Sequence, residues 1–263
     1  MRENKNGFII AFVGQDGAGK TTISNIMLER LKKNNNVKSM YLGSGENYSS
    51  LIKKIYKKAE RKDNKSLLKD ISGMLFYVQV AKKCARKAKK SRKLAKNGTI
   101  VFWDRCPQIQ FEGINDGPKI KSKFGDSKNS LTKILYPYFQ NKEMKYLKNA
   151  VNIQPDIVIK LHLSVEESMR RKPDNNIEKI KIKHMIVENL KFTESKVIDV
   201  DATQPLEQEI IQIHTYVEDY LKYPYRNNDE RQEFIRHLKS VQNVKSDRLS
   251  ENRKNVLEKD NSR

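Results

Sequence analysis

The segment Gly14-Gln15-Asp16-Gly17-Ala18-Gly19-Lys20-Thr21 constrains this chain more than any other stretch of its 263 residues. It fits the spacing G-x-x-x-x-G-K-[ST], and that spacing has a physical reason. Glycines let the backbone curl until successive N–H groups point inward around phosphate oxygens, and the helix that follows adds the positive end of its dipole. Lys20 then reaches the β- and γ-phosphates of a nucleotide, while the Thr21 hydroxyl is placed to ligate Mg²⁺. The context agrees. An apolar run, Phe8–Val13, leads in, and Ile23, Ile26, Met27 and Leu31 follow at helical spacing. A glycine-rich turn without a ligand is the competing reading, but at average glycine content the full pattern arises by chance in roughly one chain per hundred of this length. Residues 14–22, Thr22 included, are therefore the expected nucleotide site, with ATP and Mg²⁺ as cofactors.

The rest of the chain reads as the scaffold such a loop needs. Gly7–Gly14, Val37–Gly43, Thr99–Arg105, Asp156–Leu163 and Val197–Ala202 have strand length, and several are near-continuous apolar runs, as parallel strands covered on both faces are. Helical patterns separate them over Lys20–Asn34, Ser66–Asn97, Leu131–Ala150, Val165–Lys172, Ile177–Lys191 and Pro205–Lys222. In Ser66–Asn97 a stripe of Leu67, Ile71, Met74, Val78, Ala81, Ala85 and Ala88 is expected to face inward. Strands alternating with helices imply right-handed crossovers and an α/β fold with a doubly wound parallel sheet. Pro107–Asn129 shows no clear period and carries Gly113, Gly117, Pro118 and Gly125, so it is expected to be a long functional or mobile loop. Residues 1–225 read as one domain. Residues 226–263, charged and almost free of aromatics, read as a tail that is helical or disordered.

A second element supports the first. Val101-Phe102-Trp103-Asp104-Arg105 is an apolar strand ending in an acid, which suits a carboxylate holding Mg²⁺ beside Thr21. Arg105 would project into the crevice outside the strand ends, where open α/β sheets bind ligands. An ordinary strand-end salt bridge is the plainer alternative.

Together the phosphate loop, the Asp104-Arg105 strand end, and a later helix with Arg170 and Arg171 followed by a break resemble the thymidylate kinase family of nucleoside monophosphate kinases. The resemblance covers roughly residues 7–222, most densely near 14–22, 104–105 and 155–173. It implies a three-layer P-loop NTPase fold of five parallel strands in the order 2-3-1-4-5. It also implies that Asp16 contacts the acceptor's sugar, that Arg105 grips the acceptor's phosphate, and that Arg170 and Arg171 act catalytically with Lys20 from a lid near residues 170–180. The Pro173-Asp174-Asn175-Asn176 break gives that lid its hinge. Departures point to a divergent branch: Tyr41-Leu42-Gly43-Ser44-Gly45-Glu46 follows strand two, Cys106-Pro107 follows Arg105, and Gln108, Gln110 and Asp116-Gly117-Pro118 do not reproduce the family's acceptor-base residues.

The implied activity is ATP-dependent phosphoryl transfer to a nucleoside monophosphate, with dTMP as leading candidate. A kinase for a nucleoside or sugar, and a nucleotide-binding module docking through its basic region, are the alternatives. That region matters to the charge balance. Of a net charge of +21, residues 50–96 contribute seventeen basic against three acidic side chains. A solvated lysine-rich face explains this, as does a surface for nucleic acid or anionic lipid. Expected partners are ATP, a small phosphorylated acceptor, weak contact with such a polyanion through 50–96, and a second copy of the chain. Two cysteines, Cys84 and Cys106, exclude a disulfide framework and suit a reducing compartment. Cys106 could be a low-pKa thiol beside Arg105 or a passive small side chain. Phe8–Val13 is far shorter than the ~20 residues a membrane span requires, so a cytoplasmic protein is expected.

Overall fold

The computed structural model describes residues 7–43, 51–62, 66–114 and 116–221. The expected tail, 226–263, and the segment Ser44-Gly45-Glu46 lie outside the described residues. Five strands form where the apolar runs stand: β1 Ile9–Gly14, β2 Asn36–Tyr41, β3 Thr99–Asp104, β4 Ile157–His162 and β5 Lys196–Asp201. They make one sheet in the order β2-β3-β1-β4-β5, parallel at the β1–β3, β1–β4 and β2–β3 pairings. Helices complete a three-layer α/β fold: α1 Lys20–Lys32, α2 Leu51–Lys62, α3 Leu67–Lys96, α4 Ile120–Phe124, α5 Ser130–Val151, α6 Val165–Arg171, α7 Ile177–Asn189 and α8 Leu206–Leu221. The chain forms two compact units, residues 1–199 and 200–263. No described helix is long and apolar enough to cross a membrane.

Burial explains the strand sequences. β1, β3 and β4 are buried at every position but the last, so their side chains are apolar on both faces save Thr99 and Lys160, whose ammonium donates to Glu188 O at 3.0 Å. One face of β1, Ile9, Ala11 and Val13, packs with Val101, Trp103 and Val158 against Cys84, Ala88 and Ala95 of α3 and Val187 of α7. On the other, Phe12 stacks on Phe102 with ring centroids 6.0 Å apart. The exceptions, Gly14, Asp104 and His162, are the final residues of their strands, so the half-open carboxyl edge of the sheet carries the polar groups.

Helix boundaries follow local chemistry. Ser66 caps α3 by accepting from Lys69 N at 3.2 Å, Ser164 caps α6, and Asn176 caps α7. Gly98, at φ 82°, ends α3 in the left-handed conformation that glycine adopts most easily. The inward stripe of α3 differs from the expected one. Met74, Tyr77, Ala81, Cys84, Ala88, Ser91 and Ala95 are buried, while Leu67, Ile71, Val78 and Ala85 are half-buried on its flank. The reason is a second layer: α3 packs on α5 as well as on the sheet, and α2 and α4 add an aromatic cluster of Tyr56, Phe76, Tyr77 and Phe124, which Ile71 and Val78 border. Both α2 and α4 escaped the sequence pattern. The first buries little besides Tyr56 and Ala59, and the second is a five-residue turn inside the aperiodic stretch.

The basic half of α3 sorts its cations by face. Lys82, Arg86, Lys89, Lys93 and Lys96 are exposed at steps of four and three residues, which is one helical stripe. Lys87 turns inward to donate to Tyr41 O. Arg92 donates to both carboxylate oxygens of Asp156 at 2.8 and 2.9 Å, and Asp156 also accepts from Ile9 N at 2.7 Å, so α3 is tied to the amino edge of the sheet.

Asp70, 4% exposed, fastens the other end of α3. Its Oδ2 accepts from Ser127 Oγ at 2.6 Å and Thr132 Oγ1 at 3.0 Å. Asp70→Ala strands both hydroxyls, and hydrogen bonds to a charged acceptor contribute about 1.5–3 kcal/mol. The urea midpoint of Asp70→Ala is therefore expected to fall by that margin, with an unchanged slope; a midpoint equal to wild type would show that this carboxylate holds nothing.

Candidate functional site

The loop Gly14–Thr21 lies at the carboxyl end of β1, the central strand. Gly17 and Gly19 have φ of 88° and 81°, which side-chain-bearing residues rarely adopt, and Gly19 is the N-cap of α1. Ile23 N donates to Gly19 O at 2.9 Å, so the helix starts directly from the loop. Thr21 is exposed and Thr22 half-buried in the first turn. Lys20 folds back over the loop, donating to Gly14 O and Gln15 O, each at 2.7 Å. Burial, helped by the charge of Arg105, lowers its pKa to about 8, against the opposing pull of Asp16 and Asp116.

The outer side of the loop is held by three later elements. Gln15 is 1% exposed and donates its side-chain amide to Leu163 O and Ser164 O, beyond β4. Its Oε1 lies 3.1 Å from His184 Nδ1 on α7. Ser168 Oγ on α6 donates to Asp16 O at 2.7 Å, and Arg171 Nη1 donates to Gly17 O at 3.1 Å. Lys183 on α7 forms an ion pair with the Asp16 carboxylate. Although burial alone would raise the Asp16 pKa, the Lys183 contact outweighs it and holds the carboxyl below its usual range. The outward bond to Asp16 O turns the N–H of the same peptide, that of Gly17, to the opposite edge for an anion, whereas Ala18 N donates to Gln15 O at 3.3 Å inside the loop.

Asp104 and Arg105 stand at the end of β3, in the same crevice. Asp104 is half-buried. Arg105 has φ 78°, uncommon for a residue with a Cβ, and such strain is kept where surrounding structure over-determines it. Gly43 makes room for it: a Cβ on Gly43 would lie 2.9 Å from Arg105 Cγ and 2.7 Å from the Tyr41 hydroxyl.

The structure thus brings Lys20, Asp16, Asp104 and Arg105 to one edge of the sheet and separates the two expected lid arginines. Arg171 reaches the loop and also binds Glu167 at 2.6 Å. Among the described residues Arg170 pairs only with Glu167, at 2.6 and 2.7 Å, and its side chain is 68% exposed. The break between α6 and α7 falls at residues 172–176, where the sequence places it. Sequence reasoning missed Ser168, Lys183 and His184, because a serine in a short helix and a lysine in Lys181-Ile182-Lys183-His184 carry no spacing signal of their own. It also missed the weight of Asp116 and Lys119, which line a cleft beside Gly43.

Cys106 is buried and its thiol is pushed up by that burial; Cys84, also buried, is pushed up to about 12. Of the two readings of Cys106, the passive small side chain is the one the environment allows.

No protein-family model matches the chain. Among curated proteins, it is 24% identical over 212 residues to the uncharacterized ATP-binding protein YghR of Escherichia coli K12, covering 75% of this chain and 81% of that protein. It is 26% identical over 217 residues to the uncharacterized ATP-binding protein YghS of the same strain, covering 76% and 88%. Among solved structures, deoxyadenosine kinase from M. mycoides with bound dATP matches over 80% of this chain and 99% of its own, at 17% identity and a TM-score of 0.44, a likeness that carries no statement about substrate.

The burial of both thiols predicts their chemistry. In native protein at pH 8, neither Cys84 nor Cys106 is expected to react with a thiol-exchange reagent on the minute scale, while urea exposes both. Rapid native labelling of Cys106 would contradict its burial in the core beside Cys84 and Trp103.

Proposed function

We propose that the chain is a P-loop phosphotransferase that binds ATP at residues 14–22 and transfers its terminal phosphoryl group to a small acceptor held near Arg105. The observation that carries this reading is the Gly-x-x-x-x-Gly-Lys-Thr turn itself, set at the N-terminus of α1 with Gly17 and Gly19 at positive φ and with Asp16 O drawn outward by Ser168, which leaves the Gly17 amide for phosphate. The two curated relatives, both named for ATP binding and each aligned over three quarters of this chain, agree with it.

Each side chain has a role in that reaction. Loop amides and Lys20 take the phosphates, and Lys20, low in pKa, regains its charge fully against them. Thr21 and Asp104 offer a hydroxyl and a carboxylate, the hard oxygen donors Mg²⁺ prefers; the ion takes its remaining ligands from phosphate and water, so two protein oxygens fit it. When bound, Mg²⁺ neutralises charge developing on the phosphate oxygens. Arg171, already on the loop, is the arginine able to reach the transferred group; Arg170 faces solvent. Residues 1–225 act as the kinase domain, with the α6–α7 turn in the lid of residues 170–180. For the acceptor, Arg105 suits a monophosphate such as dTMP, and the carboxylate of Asp116 in the same crevice suits a hydroxyl compound. The exposed cationic stripe of α3 supports a secondary contact with a polyanion, because charges in one row reinforce each other at low salt.

Isothermal titration and initial rates test this. Lys20→Ala is expected to weaken ATP binding by about 1.5–3 kcal/mol, one charge-assisted contact. Arg105→Ala should raise the acceptor KM with ATP affinity unchanged. Unaltered ATP binding in a folded Lys20→Ala protein would overturn the reading.

The arginines give a sharper comparison. Arg171→Ala should lower kcat roughly a hundredfold or more, and Arg170→Ala by no more than about twofold, because only a cation that meets the transferring group stabilises it. Equal, wild-type kcat in both would remove Arg171 from the chemistry.

The pH dependence follows from Lys20. Its folded pKa of about 8 lies below the ordinary lysine value. The free site therefore loses the ammonium charge as pH rises through 8, and ATP binding above that pH must take up a proton. Titrations at pH 8.5 in buffers of different ionisation enthalpy should show proton uptake that Lys20→Met abolishes; identical heats in wild type and Lys20→Met would refute it.

A further inference from the structure

The stretch Pro107–Asn129, expected as a functional or mobile loop, is braced on both sides of residue 115. Gln108, 2% exposed, donates its amide to Phe111 O at 2.8 Å and Ile114 O at 3.1 Å, and its Oε1 accepts from Phe111 N at 2.8 Å. Gly113 N donates to Pro118 O at 2.6 Å, and Gly117 N to Ile114 O at 3.1 Å. Glu143, buried on α5, accepts from Lys119 N and Ile120 N, each at 2.9 Å. Lys119 Nζ closes the loop on Gly113 O. Two buried side chains and a lattice of short bonds thus organise a segment without regular structure.

What they organise is Asp116. It has φ 61°, with Arg105 one of two non-glycine residues at positive φ among the described residues. Its side chain lines a cleft with Gly43 and Lys119, walled by Tyr77, Val80 and Leu147. Gly43 is also the residue against which Arg105 packs, and the Arg105 charge is the strongest of those that reach Asp116. Among the described residues the Asp116 carboxylate forms no direct ion pair or hydrogen bond, yet it lies close enough to feel Arg105, Lys119, Lys20 and Asp104. Burial raises its pKa above the ordinary carboxylate value, Asp104 adds to the rise, and the three cations oppose it.

A carboxylate in that position discriminates between acceptors. A phosphate oxygen is already a nucleophile, and a dianion beside Asp116 would meet a like charge in a partly dry cleft. A hydroxyl is a poor nucleophile until its proton leaves, and a positioned carboxylate can take that proton. The cleft is small, about 30 Å³, so it takes only the hydroxyl-bearing end of an acceptor, and its apolar walls suit an uncharged one.

We infer that the acceptor is a neutral hydroxyl compound, of the nucleoside or sugar class, and that Asp116 accepts the proton of the attacking hydroxyl. This rests on the phosphotransferase reading above and specifies its acceptor. In the step, the acceptor oxygen forms a bond to the γ-phosphorus of ATP as its proton passes to the Asp116 carboxylate. The bond from the γ-phosphorus to the β–γ bridging oxygen breaks, and its electron pair leaves with ADP. Asp116 then returns the proton to water. Arg105 and Lys119 keep the reacting oxygen oriented and balance the carboxylate before transfer.

Asp116→Asn is the decisive variant, because asparagine is isosteric and tolerates a left-handed backbone. The experiment measures ADP formation by wild type and Asp116→Asn with water alone, with thymidine, deoxyadenosine and glucose, and with dTMP, dAMP and glucose 6-phosphate. ATP affinity is followed by titration. The expected result is that neutral compounds, not their monophosphates, accelerate ADP formation at least tenfold over water. Asp116→Asn should lose a hundredfold or more of that rate, and at least tenfold of slow hydrolysis, where water is the hydroxyl acceptor, with ATP affinity within twofold. Acceleration by monophosphates alone overturns the inference. So does wild-type hydrolysis in Asp116→Asn, even where no compound of the panel is accepted. Failure of wild type to bind ATP is a separate result and removes the phosphotransferase reading itself.

Discussion

The site depends on hydrogen bonds made behind the phosphate loop. A peptide cannot aim its N–H at a ligand unless its carbonyl, on the opposite edge, has somewhere to go, and a buried carbonyl without a donor costs about 1–3 kcal/mol. Here Ser168 bonds Asp16 O, Arg171 bonds Gly17 O, and Lys20 holds Gly14 O and Gln15 O. The Gln15 side chain in turn bonds the carbonyls that follow β4. The loop is therefore not an autonomous motif. Its conformation requires residues about 150 positions later in the chain, and the element that shapes it is the element that would close over it. Movement of α6 or α7 would be felt directly at the amides.

Burial on both faces is why so much of the fold could be read from the sequence. A strand covered by helices on either side has no polar alternation, and Ile9–Gly14 and Thr99–Asp104 show it, as does Ile157–His162 apart from Lys160. Elements bordering only one layer left a fainter trace. α2 buries two residues in three turns, so its lysines hid it, and α4 is too short for any period. The stripe of α3 was placed one flank aside because α5 covers a side of that helix that the sheet does not, and no single-helix pattern contains the position of a second helix. At the site, the motif residues were legible because phosphate chemistry demands glycines and a lysine at fixed spacing. Lys183, His184 and Ser168 were not, because any donor at the right place on α6 or α7 would serve, and tertiary structure alone decides the place. The pair Arg170 and Arg171 lies between these cases: the sequence locates the pair, and only the helix phase shows that the second reaches Gly17.

Electrostatics at the strand ends follows from the same packing. The low pKa of Lys20 and the high pKa of Asp116 have one cause, a crevice with little water, which disfavours either charge. Opposite charges nearby, Asp16 and Asp116 for the lysine, Arg105 and Lys119 for the aspartate, recover part of that loss without closing into direct pairs at Asp116. Lys183 and Asp16 do close, and the Asp16 charge still reaches Lys20 and Arg105.

This difference separates structural from chemical charge. An ion pair in contact has satisfied its partners and stiffens what it joins, as Lys183–Asp16 and Arg92–Asp156 do. A charge held in a strained backbone, with neighbours near but not touching, keeps its hydrogen-bonding capacity for something else. Among the described residues Arg105 and Asp116 share that condition, one cationic and one anionic, on two loops that meet at Gly43. A phosphate acceptor would use the first and be repelled by the second. A hydroxyl acceptor uses both: the guanidinium orients an oxygen lone pair, and the carboxylate takes the proton. The arrangement of these two residues, more than the phosphate loop common to many nucleotide-binding chains, is what would distinguish the acceptor of this one.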